Sequence, residues 1–118
     1  MQEQVHNWLS EKTKISGVLA CGIRAPDRKT FTRSLTPQFT QMALENACRC
    51  LSDTFQVLGS NRFPVRLVRW VYENYFFYGF MRPDGHCFAL LTRRNAAQPA
   101  LQQHDLETIV SEFHALET

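Results

Sequence analysis

The 118-residue sequence carries no strong excess of either charge: 13 lysines and arginines face 11 aspartates and glutamates, a net +2. A field that small gathers neither phosphate backbones nor anionic lipid, so nucleic-acid binding would have to rest on a local patch, and none is expected of the whole chain. No apolar run approaches the ~20 residues that span a bilayer. The opening "MQEQVHNWLSEKTK" is polar and mixed in charge, unlike the basic start and apolar stretch of a signal peptide. These absences lead us to expect a cytoplasmic protein without membrane insertion.

Cysteine is sparse. Cys21, Cys48, Cys50 and Cys87 include no C-x-x-C pair and lack the density of a disulfide scaffold, which predicts reduced thiols. On a helix Cys48 and Cys50 stand about 200° apart and cannot share one ion, so no metal is expected. Glycine-rich phosphate loops and the G-x-S-x-G nucleophile turn are missing, so no cofactor is expected either. His6, His104 and His114 fall in polar helix or loop contexts, and His86 follows a turn. His86 and Cys87 are strand neighbours and point to opposite faces. Glu45, Asp53, Glu73 and Asp84 are scattered singly, with no pair placed for acid and base work. No catalytic residue is assigned, and an enzyme is not expected.

What is present is apolar patterning. The chain is 44% hydrophobic, enough for one core, and reads as one domain over residues 1–118. Val5, Trp8 and Leu9 stripe a first helix over Gln2 to Glu11. "ISGVLACGIRA" predicts a central strand, with Ile15, Gly17, Leu19, Cys21 and Ile23 on one face and Val18 and Ala20 on the other. "PDRK" turns the chain into a second strand, Thr30 to Ser34. Thr36 as cap and Pro37 at the first helical position start a long helix that runs to about Leu58, with Gly59 as its stop. Its apolar positions, Phe39, Met42, Ala43, Ala47, Cys50, Leu51, Val57 and Leu58, spread over an arc wider than one sheet face needs.

The next strand sets Phe63, Val65, Leu67 and Val71 against Val68, Trp70 and Tyr72. Pro64 cannot donate to a ladder, which marks this strand as an edge. A turn at Glu73-Asn74 leads into "YFFYGFM", with Tyr75, Phe77 and Met81 on one side and Phe76, Tyr78 and Phe80 on the other. "RPDG" turns into "HCFALLTR", completing a three-strand meander. A loop with a helical turn after Pro99 precedes a last helix, opened by Asp105 and striped by Leu106, Ile109, Val110, Phe113 and Leu116.

The ring-rich strand poses a choice between an exposed stacking platform and a core. Each buried ring contributes roughly 1.5–3 kcal/mol, and exposing them all would forfeit much of the ~5–15 kcal/mol that holds a domain together. Two-sided burial is therefore predicted. "YGFMR" is loosely similar to the aromatic signature of RNA recognition motifs, with Arg66, Arg69, Arg82, Arg93 and Arg94 available for phosphates, but the element order differs from that module. An RNA platform and a ligand-sensing domain of profilin-like or PAS-like architecture, with a cavity lined by Tyr78, Phe80 and Leu90, are the alternative readings.

The order helix, two strands, helix, three strands, helix resembles the roadblock/dynein light chain family over about Val5 to Leu116. The residues that carry the likeness are Gly17-Val18, the turn with Asp27, Ser34 closing the second strand, and the hairpin Glu73-Asn74. Arg28 and Lys29 stand where the family often has glycine. The resemblance implies an α+β fold: a five-stranded antiparallel sheet with the long helix on one face and two terminal helices on the other. It also implies a non-catalytic homodimer, third strands side by side and long helices together, acting as a scaffold or regulator that binds Ras-like small GTPases. An unpaired apolar edge is a hazard that self-pairing removes. The dimer interface is accordingly assigned to Met42, Cys50, Phe63, Val65 and Leu67.

Overall fold

A computed structural model describes residues 2–63, 65–94 and 100–117. The elements are α1 (Gln2–Thr13), β1 (Val18–Arg24), β2 (Thr30–Ser34), α2 (Gln41–Ser60), β3 (Leu67–Val71), β4 (Tyr75–Met81), β5 (Cys87–Arg93) and α3 (Gln103–Ala115). The strands form one antiparallel sheet in the order β2-β1-β5-β4-β3. The expected α+β order and the expected sheet are both found, with β3 at an edge.

Two cores lie on opposite faces of that sheet. On one, α1 and α3 bury Val5, Trp8, Leu9, Ile109 and Phe113 against Cys21, Ile23, Phe80, Phe88 and Leu90. On the other, α2 buries Leu44, Cys48, Leu51 and Phe55 against Ala20, Phe77, Cys87, Ala89 and Leu91. The choice between platform and core falls mostly on the predicted side, since β4 and β5 are packed on both sides. Where the alternative ligand-sensing reading would put a cavity, at Tyr78, Phe80 and Leu90, the rings of Tyr78, Phe80, Phe88 and Phe113 stack in sequence, at centroid spacings of 6.1, 5.9 and 5.2 Å. Rings fill that space.

The glycine inside the aromatic run has a steric reason. A Cβ on Gly79 would collide with Leu51 Cδ1, and one on Gly22 would sit 3.0 Å from Cys48 Sγ. With Ala20 and Ala89 beside them, these small residues make a floor on which α2 approaches the sheet closely.

Several local expectations are corrected. A register shift between Val18 and Ala20 puts Val18 on the face of Cys21 and Ile23, while Leu19 joins the α2 side with Ala20. One extra residue in a strand reverses the alternation beyond it. Thr36 and Pro37 form a turn instead of a helix start: the Thr36 carbonyl accepts from Phe39 N at 3.2 Å, and its hydroxyl accepts from Gln38 N at 3.3 Å. The cap of α2 is Thr40, whose hydroxyl accepts from Ala43 N at 3.1 Å. Gly59 lies within α2, and Arg62, at φ 66°, closes it as Phe63 N donates to Leu58 O at 2.8 Å. Of the apolar arc expected on α2, only Leu51 belongs to its fully buried line. Asp105 falls in the first turn of α3, where it favours the helix N-terminus by charge and not as a cap. Residues 100–102 enter α3 without a helical turn. The expectation for Pro64 and the loop reading of residues 95–99 lie outside the described residues.

Candidate interaction surface

The edge of the sheet is where apolar side chains stay exposed. β3 pairs with β4 on one side, from Leu67 opposite Phe80 to Val71 opposite Phe76, and has no strand on its other side among the described residues. Its two faces differ. Val68 and Trp70 turn toward α2, and Trp70 meets Phe77 edge-on at 5.1 Å. Leu67 and Val71 turn the other way and stay 54% and 50% exposed, because α1 lies over β1 and β2 and does not reach this end of the sheet. Just before the strand, Phe63 is exposed to 58%.

The exposed side of α2 adds a second apolar patch, on the opposite face of the sheet from Leu67 and Val71. Ala43, Cys50 and Val57 are spaced by seven residues and form one exposed line, with Met42 beside its start. A groove of about 350 Å³, lined by Ala47, Cys50, Leu51, Trp70, Tyr72 and Phe77, joins the helix to β3. Tyr72 stacks on Tyr75 at 4.6 Å, and Tyr75's phenol is pushed up by burial and then by its neighbour Tyr72. Of the five residues expected at an interface, Met42, Cys50, Phe63 and Leu67 are exposed and Val65 is half-buried against the α2-side core. Val57, Val71 and Tyr72 extend the surface and were not among the five; alternation along an edge strand is the signal that would have included Val71.

Several polar groups elsewhere are tied into the fold. Arg82, grouped from the sequence with possible phosphate contacts, is buried: it donates to the carbonyls of Phe113 at 2.9 Å and Leu116 at 2.6 Å, closing the end of α3. It also grips Asp84 through two bonds, 3.2 and 2.5 Å. That guanidinium, followed by the backbone and ring of His86, holds the Asp84 carboxyl well below the usual carboxylate range. Glu112 is likewise lowered, first by Lys12 at 2.5 Å and then by Trp8 Nε1 at 2.9 Å. Burial raises the thiols of Cys21 and Cys87 and pushes Cys48 up to about 12, so these three are packing groups without thiolate character. Among the described residues no cluster of three or more His, Cys, Asp or Glu is arranged to hold a metal, and no helix is long and apolar enough to cross a membrane.

No family model and no curated protein matches the sequence. Solved structures do match the fold. The Roadblock/LC7 domain from Streptomyces avermitilis superposes with a TM-score of 0.64 at 15% identity, covering 93% of this chain and 94% of that one. Myxococcus xanthus MglB gives 0.64 at 8% identity, covering 96% and 86%. Myxococcus xanthus MglC gives 0.53 at 17% identity, covering 95% and 98%. The fold is the roadblock fold.

Proposed function

We propose that this roadblock-fold chain is a non-catalytic, cytoplasmic regulatory or scaffold protein that pairs with a second copy of itself and docks a Ras-like small GTPase. The observation that carries the reading is an edge strand, unpaired among the described residues and bearing exposed apolar side chains, that meets the exposed line of α2 at the groove between Cys50 and Tyr72. Phe63, Leu67, Met42 and Cys50 are exposed, and Val65 is half-buried on the α2 side of the sheet. A second copy of β3 would cover that edge and bring two α2 helices together, removing apolar area from water and satisfying an edge that otherwise invites aggregation.

The small side chains Ala43, Ala47 and Cys50 allow two such helices to approach closely, and Met42 and Val57 supply apolar contact at either end. What supports a regulatory role is the shared fold together with a site that offers surface and no chemistry: the thiols that are raised are buried, and the carboxylates that are lowered are tied to Arg82 and Lys12. The docking arm is tested by using the chain as bait in an extract of its own cell, loaded with GDP or with a non-hydrolysable GTP analogue. The expected result is recovery of a small GTPase whose yield depends on the nucleotide. Recovery of none with either nucleotide overturns the choice of partner.

A further inference from the structure

Arg69 and Arg94 converge on one ring, from β3 and from just beyond β5. Their guanidinium carbons stand 4.9 and 5.5 Å from the centroid of Phe76. Arg94 also donates to the Tyr72 carbonyl at 2.7 Å, which fixes it there. Two like charges held against the same ring repel each other, and neither pairs with a carboxylate among the described residues. Both are exposed, and Arg69 lies on β3 between Leu67 and Val71, the half-exposed aliphatic residues of the same sheet face. Tyr78, partly buried, is the cross-strand neighbour of Arg69.

We propose that this uncovered sheet face binds an extended acidic segment of a partner protein, carboxylates to Arg69 and Arg94 and apolar side chains to Leu67 and Val71. Arginine forks match carboxylates in geometry, and the pairing relieves the repulsion between the two cations. Same-face positions along a strand recur at about 6.6 Å, so aliphatic, cation, aliphatic on β3 fits a chain that alternates apolar and acidic residues. Single-stranded nucleic acid fits less well, because base stacking needs a free ring face. Phe76 is engaged by guanidinium and Tyr72 by Tyr75. Arg69 and Arg94 lie on the face of the sheet, while Leu67 and Val71 are shared with the proposed self-pairing surface.

The test uses a short fluorescent peptide alternating glutamate and leucine, a glutamine-for-glutamate version of it, a single-stranded oligonucleotide, and vesicles containing phosphatidylserine. Amide chemical shifts of the intact chain are followed throughout. The acidic peptide is expected to bind, to move the signals of Arg69, Val71, Phe76 and Arg94, and to lose about tenfold in affinity in the Arg69→Gln/Arg94→Gln variant. The variant's thermal midpoint and sedimentation should match the parent, separating this site from folding and from self-association. Absence of binding, equal binding of the glutamine peptide, unchanged affinity in the variant, or preference for the oligonucleotide or vesicles would each overturn the proposal.

Discussion

An arginine with only 5% of its surface exposed needs partners for its guanidinium, and Arg82 finds them in the last carbonyls of α3 and in Asp84. Replacing it with methionine strands those carbonyls and leaves Asp84 without its main partner, so we expect Arg82→Met to cost about 2–4 kcal/mol in urea unfolding and to speed amide exchange in the last turn of α3. Asp84 and Glu112 both have lowered folded-state pKa values, so their contribution is present above the unfolded carboxylate range, ~4, and is lost as pH falls through the folded values. Their side chains are 50% and 40% exposed, and solvent screening limits each to about 1 kcal/mol or less. The urea midpoint should therefore fall below pH 4, and less steeply in Asp84→Asn/Glu112→Gln than in the parent. The role of Arg82 was not legible in the sequence. An arginine next to a "PD" turn looks solvated, and only the fold brings the end of α3 over it. Buried Cys48 and exposed Cys50, by contrast, follow directly from two residues of helical rotation.

Elements show where patterning suffices and where it fails. The two faces of β4 were readable from strict alternation, and the glycine in that strand reports the height of α2 above it. Gly79→Ala drives a methyl into Leu51 and toward Val68 Cγ2, so a loss of about 1–3 kcal/mol is expected, and Gly79→Ala/Leu51→Ala should cost less than the sum of the two single changes. In β1 the alternation misled, because a bulge is a matter of pairing with β5 and leaves no mark in composition. At the start of α2, Thr36-Pro37 and Thr40 are both acceptable caps by residue type; Ala43 N, bonded to Thr40, decides between them. Thr40→Ala should cost about 1 kcal/mol in thermal or urea unfolding, while Thr36→Ala should cost much less.

For the molecule as a whole, the order of elements was legible from patterning, whereas the assignment of helices to faces came with the family resemblance that this order carries. The group of exposed Arg69 and Arg94 on half-buried Phe76 was not legible, because it joins β3, β4 and the residue after β5 through a register that no local pattern records. The central claim is that β3 and the exposed line of α2 are covered by a second copy. Sedimentation equilibrium at micromolar concentration tests it most directly. The account predicts twice the chain mass of 13.7 kDa for the parent and a folded species of single mass for Leu67→Lys/Val57→Lys. A parent of single mass, or a variant that keeps the double mass, would contradict it.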